Sequence, residues 1–170
     1  MAEERRDWPR TGLGLDLHAF AGHDPDPARP LLLGGVRFDD EPGLAGHSDG
    51  DVVCHAVADA LLGAAALGDL GQHFPDTNPA FEGMAGLDLL RRTVALIREA
   101  GFQPLFCDLT VLAERPHLAA RRDEIRANLA SALGLDAAAV SLKATRPEGL
   151  GLTGDGAGCL AVATIVPSGA

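Results

Sequence analysis

Short segments of the chain carry the hydrophobic pattern of β-strands. Leu13 to His18 alternates apolar and other residues with a period of two, and Pro30 to Phe38 predicts a second strand with a kink at Gly34-Gly35. Later strands are predicted at Phe106 to Ala113, Val140 to Ala144 and Cys159 to Val166. The sequence Gly-Asp-Gly at 154–156 predicts a hairpin turn between the last two of these strands.

Three longer segments carry helical patterns. Helices are predicted over Val52 to Leu67, Leu87 to Ala100 and Leu118 to Leu133. The first is rich in Ala and Leu and should be mostly buried, with Ser48 or Asp49 as its N-cap, while Gly101 and Gly134 end the other two. Because strands and helices interleave without a strict βαβ repeat, we expect an α+β fold. Its mixed or antiparallel sheet should carry helices layered on one face.

The composition indicates a globular chain without a nucleic-acid or membrane partner. Of its 170 residues 46% are hydrophobic, which predicts one domain over residues 11–166, after a charged and disordered tail at 1–10. The net charge of −10 disfavours nucleic acids and anionic membranes. With no apolar run of about 18 residues and no secretory signal, we expect a cytoplasmic protein. Three widely separated cysteines, Cys54, Cys107 and Cys159, are expected to be reduced, buried thiols.

Asp16 and His18 place two potential metal ligands in the first predicted strand. Residues two apart on a strand point to the same side, about 7 Å apart at the backbone, a spacing that one metal ion can bridge. A tetrahedral ion needs further ligands, and the next candidates are His47 and His55, beside and within the first helix. An imidazole nearly two turns inside an apolar helix, as predicted for His55, needs a partner. Alternatively, the histidines are ordinary hydrogen-bonded residues and Asp16 is a cap; spacing alone leaves both open.

The segment Gly-His-Ser-Asp-Gly-Asp precedes the predicted N-terminus of the first helix. His47 and Ser48 would lie near free backbone N–H groups, which together with the helix dipole attract an anion such as phosphate. The alternative is a capping loop in which Asp49 satisfies the helix and His47 is merely exposed. Asp69 and Asp76, in the loop after the helix, could be turn formers and are not specific to a site.

Five segments, taken in order, resemble the 2-C-methyl-D-erythritol 2,4-cyclodiphosphate synthase family of the non-mevalonate isoprenoid pathway. They are "GLGLDLHAF", "LLLGGV", "AGHSDGDVVCHAVADALLGAAALGDLGQHFPDT", "ERP" and "KAT…EGLGLTG", and the resemblance covers residues 11–166. It implies a phosphorus–oxygen lyase that converts 4-diphosphocytidyl-2-C-methyl-D-erythritol 2-phosphate to the 2,4-cyclodiphosphate and releases CMP. It also implies a homotrimer with active sites between neighbouring subunits.

The resemblance implies two metal ions and the residues that hold them. One zinc ion per subunit would be bound by Asp16, His18 and His55, with the fourth position left for a phosphate oxygen. Glu148 would hold magnesium or manganese against the diphosphate of the substrate. We expect His47, and Arg146 in place of a family hydroxyl, to be the catalytic side chains, with no covalent nucleophile.

The residues expected around the substrate fall into two groups. Those near the phosphates and the methylerythritol are Asp16, His18, His47, Ser48, Asp69, Leu70, Gly71, Phe74, Asp76 and Thr77. Those near the cytidine and the diphosphate are Ala113, Pro116, His117, Leu118, Lys143, Ala144, Thr145, Arg146, Glu148 and Leu152. Both groups are what the resemblance implies for these positions.

Three positions depart from the family pattern. His117 replaces a usual lysine, so a permanent cation is lost. Arg146 and Pro147 replace hydroxyl residues, which brings in a forked phosphate donor but removes a backbone N–H. Asp155 replaces an arginine that the family associates with a cavity on the threefold axis where isoprenoid diphosphates bind. An acid there should repel such a ligand, or it simply makes a better Asp-Gly turn.

These departures leave two other functions open. The altered Arg146-Pro147 pair is compatible with a metal-binding trimer that has lost the reaction and serves as a scaffold or sensor. The same ligands would also serve a metal-dependent phosphatase, which hydrolyses where the synthase cyclises. The products formed from the substrate distinguish these functions.

Overall fold

The computed structural model describes residues 8–26, 28–151, 153 and 155–169. The strands are β1 (Arg10–Ala19), β2 (Pro30–Leu33), β3 (Val36–Pro42), β4 (Phe102–Ala113), β5 (Val140–Thr145) and β6 (Gly156–Pro167). The α-helices are α1 (Val52–Ala65), α2 (Leu70–His73), α3 (Gly86–Glu99) and α4 (Arg122–Leu133). Short 3-10 helices lie at Pro79–Phe81, Ala119–Arg121 and Ala137–Ala139. Of the predicted tail, residues 1–7 lie outside the described residues, and β1 begins at Arg10.

Four of the strands form one mixed sheet in the order β1-β6-β4-β5. Strand β6 is antiparallel to both of its neighbours, whereas β4 and β5 are parallel. Helices α1, α3 and α4 pack on the sheet, which confirms the predicted α+β class. The predicted hairpin at 154–156 is wrong, because β4 lies between β5 and β6 and a tight turn joins only adjacent strands. Gly154 itself lies outside the described residues.

The segment from Pro30 to Phe38 forms two strands, so the prediction of one kinked strand is wrong. Gly34 and Gly35 have φ angles of 59° and 72°, and Leu33 pairs with Val36 across them. Positive φ at both central positions is the mark of a type I′ turn, which reverses the chain and matches the twist of a hairpin. The two glycines therefore form the turn that separates β2 from β3.

Helix α1 lies close against β1 because two glycines of the strand leave room for it. A Cβ atom at Gly14 would lie 2.0 Å from the carbonyl oxygen of Ala56, and one at Gly12 would lie 2.1 Å from that of Ala60. Only residues without a side chain permit such an approach of two backbones. The close packing sets the distance between the side chains that β1 and α1 direct toward each other.

The N-cap of α1 is Asp51, so the prediction of Ser48 or Asp49 as the cap is wrong. The Asp51 carboxylate accepts hydrogen bonds from two backbone N–H groups in the first turn, both at 3.1 Å. The helix starts at Val52, as its predicted range did, so His55 lies in its first turn and not nearly two turns inside. The predicted stops are confirmed: α3 and α4 are followed by Gly101 and Gly134, with φ angles of 88° and 71°.

On the sheet face opposite the helices, strands β1 and β6 expose several leucine side chains. Leu13, Leu15 and Leu17 on β1 are 64%, 54% and 47% exposed, and Leu160 on β6 is 40% exposed. Leu15 and Leu160 are partners in the strand register, so these side chains form a continuous surface. Large exposed apolar surfaces mark contacts with another molecule.

The cysteines of the chain lie in its interior. The cysteines Cys54, Cys107 and Cys159 are free and buried, as predicted. Burial raises the pKa of each thiol, to about 12 for Cys107. Among the described residues, no helix has the length and apolar character needed to cross a bilayer.

Candidate active site

Strand β1 and helix α1 bring Asp16, His18 and His55 to one point. Oδ2 of Asp16 lies 3.0 Å from Nδ1 of His55 and 3.1 Å from Nε2 of His18. Each residue offers a ligand atom, and these atoms all lie within 4.8 Å of one another. The sequence proposed these residues as ligands of one ion, and the structure places them as a candidate metal site.

The second nitrogen of each imidazole is also engaged. Nδ1 of His18 contacts the carbonyl oxygen of Ala45, and Nε2 of His55 lies 3.0 Å from Oγ of Ser48. A carbonyl oxygen only accepts, so Nδ1 of His18 carries a proton. Nε2 of His18 donates to the Asp16 carboxylate when it is protonated, and it offers its lone pair to an ion when that proton is replaced. The Ser48 hydroxyl can accept from His55 in the same way, which leaves Nδ1 for an ion. Such outer contacts fix the tautomer and orientation of metal-binding histidines.

The charges of the cluster favour a bound cation. Burial alone would raise the pKa of Asp16, but hydrogen bonds from His18 and His55 outweigh it and hold this pKa below its usual range. The hydrogen bond to Asp16 in turn raises the pKa of His18. An ionised carboxylate beside two imidazoles presents a concentrated negative site, where a divalent cation would replace the protons of these hydrogen bonds.

The cluster is open on one side. His55 is 6% exposed, whereas the side chains of His18 and Asp16 are 26% and 23% exposed. Two imidazole nitrogens and one carboxylate oxygen are a donor set that suits zinc. Three protein ligands with a solvent-facing side are the arrangement of a catalytic zinc site, so the residues present fit that ion.

The loop before α1 holds the two residues that were expected at the phosphates. His47 is exposed, and Ser48 contacts His55. Because Asp51 already accepts from the first-turn N–H groups, the end of α1 offers fewer free donors than the sequence implied. The expected role of His47 and Ser48 in phosphate binding therefore depends on their side chains more than on the helix terminus.

The residues expected at the methylerythritol lie between α1 and the 3-10 helix at Pro79–Phe81. Asp69 caps α2 by accepting from the N–H of Gln72 at 3.0 Å, and the ring of Phe74 packs edge-on against Phe81 at 5.4 Å. The other residues of this group, at the start of α2 and in the turn after it, are Leu70, Gly71, Asp76 and Thr77. Asp76 and Thr77 are exposed, so their side chains are accessible to a ligand.

One cavity, of about 210 Å³, is lined by most of the residues that were expected around the cytidine. Because β4 and β5 are parallel neighbours, the loops that follow them leave the sheet at the same edge. These two loops form the walls of the cavity. The predicted residues in the lining are Ala113, Pro116, His117, Leu118, Ala144, Thr145 and Arg146. The lining has no residue in common with the metal cluster.

Two other predicted residues are Lys143, which is not part of the cavity lining, and Leu152, which lies outside the described residues. Nζ of Lys143 lies 2.6 Å from Oδ2 of Asp108 on the neighbouring strand. Within the cavity wall, Nη2 of Arg146 lies 3.3 Å from Nδ1 of His117, so the two departures from the family pattern contact each other.

Glu148 lies just beyond the cavity, in a turn from Pro147 to Leu150. The N–H of Leu150 donates to the carbonyl oxygen of Pro147 at 3.0 Å. Glu148 has a φ of 50° and Gly149 has a φ of 77°. Glu148 is exposed, so its carboxylate is accessible to an ion. A glutamate in the left-handed region is uncommon and often marks a functional position.

Sequence reasoning missed two acids beside the cluster. Asp51 is fully buried and also accepts from the N–H groups of Gly34 and Gly35, at 2.9 and 2.7 Å. Asp59 lies one helical turn after His55 and accepts from the N–H of Leu70 at 2.7 Å, which links α1 to the start of α2. Burial raises the pKa of Asp59. The spacing of four residues on a helix was the available signal for Asp59.

Comparison with known proteins gives a consistent result. The sequence profile of the YgbB family matches residues 9–167. A 2-C-methyl-D-erythritol 2,4-cyclodiphosphate synthase from Symbiobacterium thermophilum is 47% identical over 158 residues, covering 93% of this chain and 98% of the relative. The bifunctional enzyme IspD/IspF of Anaeromyxobacter dehalogenans is 50% identical over 158 residues, which are 92% of this chain but 39% of that protein.

A solved structure agrees with these relatives. IspF from Plasmodium falciparum, in complex with CDP, matches with a TM-score of 0.80 and 29% identity, covering 95% of this chain and 98% of that one. The matched profile runs from the start of β1 to the end of β6 and so includes the metal cluster and the cavity. The resemblance drawn from the sequence motifs is confirmed: this chain belongs to the YgbB family, whose relatives include 2-C-methyl-D-erythritol 2,4-cyclodiphosphate synthases.

Proposed function

We propose that this chain converts 4-diphosphocytidyl-2-C-methyl-D-erythritol 2-phosphate to 2-C-methyl-D-erythritol 2,4-cyclodiphosphate and CMP in isoprenoid biosynthesis. The observation that carries the proposal is the convergence of Asp16, His18 and His55 in a chain closely similar to a complete synthase. The cavity between the ends of β4 and β5 supplies a separate place for the cytidine.

The metal cluster is proposed to hold the attacking end of the substrate. Zinc bound by Asp16, His18 and His55 would act as a Lewis acid on a phosphate oxygen. The chain keeps the two imidazoles aimed at one point through the contacts of His18 with Ala45 and of His55 with Ser48. His47 and Ser48 would contact the phosphates, and the residues between Asp69 and Thr77 the methylerythritol.

Glu148 and Arg146 are proposed to act on the diphosphate. Magnesium or manganese is typically held by one or two carboxylates and completed by phosphate oxygens and waters, so the exposed carboxylate of Glu148 suits that ion. Arg146 would supply a guanidinium to the phosphates in place of the family hydroxyl and of the lysine that His117 replaces. No side chain of this set needs to form a bond to the substrate, because the attacking group is itself a phosphate.

The assembly is proposed to be a homotrimer. The apolar face formed by Leu13, Leu15, Leu17 and Leu160 needs a cover, and further copies of the chain provide one. The metal cluster and the cavity also share no lining residue within one chain. Active sites shared between subunits would combine the cluster of one copy with the cavity of the next.

Product analysis tests the reaction. The zinc-loaded protein is incubated with the substrate and a magnesium salt, and phosphorus NMR identifies the products. CMP together with a cyclic diphosphate supports the proposal. CMP or inorganic phosphate without the cycle indicates a phosphatase, and metal binding without turnover indicates a scaffold or sensor. His55→Ala should lose both zinc and turnover, and full zinc content in that variant by elemental analysis would remove His55 from the site.

Light scattering tests the assembly. The chain has a mass of 17.6 kDa, so a trimer is readily told from a monomer. Leu15→Glu places a charge in the apolar face and should shift the protein toward smaller species with loss of turnover. Ala95→Glu, at an exposed position of helix α3, is the matched control and should leave the mass unchanged. An active parent protein of monomer mass would overturn the proposal.

Kinetics test the role of Arg146. A guanidinium on phosphate contributes about 1.5–3 kcal/mol, so Arg146→Ala should lower kcat/KM by about ten- to a hundredfold. Adding His117→Lys to that variant should recover part of the loss. In the parent protein, Nδ1 of His117 lies 3.3 Å from Nη2 of Arg146. His117→Lys alone would therefore place a second cation beside Arg146 and should not raise kcat/KM. Unchanged kinetics in Arg146→Ala would show that the Arg146 side chain points into solvent and makes no contact with the phosphates.

A further inference from the structure

The turn that carries Glu148 holds this residue in a costly conformation. Glu148 and Gly149 are the central residues, with φ angles of 50° and 77°, and the turn closes through the hydrogen bond from Leu150 to Pro147. Residues with a Cβ atom rarely adopt positive φ, and such conformations persist where the surroundings hold them. The structure should therefore contain a contact that stabilises this turn.

Glu114 provides such a contact. Its Oε1 accepts a hydrogen bond from the N–H of Gly149 at 3.0 Å. This N–H lies in the middle of the turn and takes no part in the hydrogen bond that closes it. Glu114 directly follows β4, 35 positions earlier in the chain, so the contact joins the loop of the cavity to the turn of Glu148.

The next residue, Arg115, fastens the cavity loop independently of Glu114. Its Nη1 donates to Oε2 of Glu41 at 2.9 Å, and its Nη2 lies 3.7 Å from Oδ1 of Asp155. Its guanidinium also lies over the ring of Phe20, 4.6 Å from the centroid. Because Arg115 anchors the loop on its own, loss of the Glu114 carboxylate should release the turn without displacing the cavity.

We infer that Glu114 is a positioning residue, which holds Glu148 in the conformation that receives the second divalent ion. The inference rests on the proposed role of Glu148 and adds that a different acid prepares it. In this role Glu114 acts through the turn, by the hydrogen bond that its Oε1 accepts from the Gly149 N–H, and is not itself a ligand of the ion. A glutamine at position 114 keeps an oxygen that can accept from Gly149 and should therefore serve nearly as well.

Manganese binding tests this inference directly. The zinc-loaded protein is titrated with Mn²⁺ in the presence of CDP, and free Mn²⁺ is followed by electron paramagnetic resonance. In Glu114→Ala, Mn²⁺ should bind about three- to tenfold more weakly, the range expected for one lost hydrogen bond. Glu114→Gln should stay within about twofold of the parent by the same reasoning. Glu99→Ala, which removes an exposed glutamate at the end of α3, is the control for lost charge and should bind as the parent does.

Further measurements separate the inference from the proposal beneath it. Zinc content, CDP affinity without Mn²⁺ and the melting temperature should be unchanged in Glu114→Ala. Parent-like Mn²⁺ binding in Glu114→Ala, with weakened binding in Glu148→Gln, would overturn the positioning role alone. Parent-like binding in Glu148→Gln would overturn the role of Glu148 itself. If Glu114→Gln were as weak as Glu114→Ala, Glu114 would be a direct ligand and the inference would be wrong.

Discussion

Two aspartates near the start of helix α1, Asp16 and Asp51, put the same carboxylate to opposite uses. Asp51 is fully buried, and its oxygens accept from the N–H groups of Gly34 and Gly35, from two N–H groups of the helix, and from the thiol of Cys54. Asp16 is partly exposed, and its Oδ2 faces two imidazoles. The first carboxylate is saturated by donors that cannot leave, and the second by donors that can lose their protons.

The contrast shows how to tell a structural acid from a functional one. A carboxylate bound by backbone N–H groups and a buried thiol contributes to stability and offers no place for an ion. One bound by histidines forms a site whose protons a metal can replace. Changes at Asp51 should therefore act on folding, and changes at Asp16 on metal binding.

The largest effect is expected from Asp51→Ala. The change leaves four backbone N–H groups without their acceptor, three of them buried, at about 1–3 kcal/mol for each buried unpaired group, so the free energy of unfolding should fall by about 3 kcal/mol or more. Urea unfolding at a fixed protomer concentration measures the loss. Asp51→Asn keeps one acceptor oxygen and should lose about half as much. A parent-like midpoint for Asp51→Ala would erase the distinction between the two aspartates.

Asp16→Asn should produce the reverse profile. Removing the charge between His18 and His55 should weaken zinc binding by at least about 100-fold, or 2.7 kcal/mol. The free energy of unfolding of the metal-free protein should also fall at neutral pH, because the lowered pKa of Asp16 means that its ionised form is stabilised in the folded state. The loss should be smaller than in Asp51→Ala, because the amide oxygen still accepts a hydrogen bond. Competition with a chromophoric chelator gives the affinity, and urea unfolding gives the stability. A large loss of stability with intact zinc affinity would place Asp16 with Asp51.

Gly14→Ala should disturb the packing that brings Asp16 to His55. The added Cβ would lie 2.0 Å from the carbonyl oxygen of Ala56, so β1 and α1 must separate at a cost of about 1–3 kcal/mol. Zinc affinity should fall as well. Gly63→Ala is the matched control, because its Cβ would lie 3.9 Å from the nearest atom, the carbonyl oxygen of Leu13. Alanine also favours the helix over glycine by about 1 kcal/mol. Equal midpoints for the two variants in thermal unfolding would contradict this account.

The smallest effect is expected from Asp49→Asn, through its dependence on pH. Burial, with a contribution from the charge of Asp51, raises the pKa of Asp49. The ionised form is therefore penalised in the folded state, and stability declines as the pH rises from the unfolded pKa, about 3.9, through the folded one. Asparagine carries no such penalty, so the stability of Asp49→Asn relative to the parent should improve by less than about 1 kcal/mol between pH 4 and pH 7. A difference that does not vary with pH would show that Asp49 ionises freely.

The sequence by itself determined the features that depend on neighbours a few positions apart. The period of two in β1 put Asp16 and His18 on one side, and the helical patterns with their stops at Gly101 and Gly134 set the ends of α3 and α4. The motif order then carried the family and, with it, the residues of the metal cluster, including His55. These predictions succeeded because local periodicity and end signals act through short-range geometry.

Only the tertiary structure decided the features that join distant parts of the chain. Asp51 became the cap of α1 because the turn at Gly34 and Gly35 brings two further N–H groups to its carboxylate, 16 or 17 positions away. Likewise, β6 lies between β1 and β4, so no hairpin joins it to the preceding strand. The contact of Glu114 with Gly149 has the same origin. Such contacts depend on which strands pair and which loops meet, and these choices are made by the packing of the whole chain and not by any short segment.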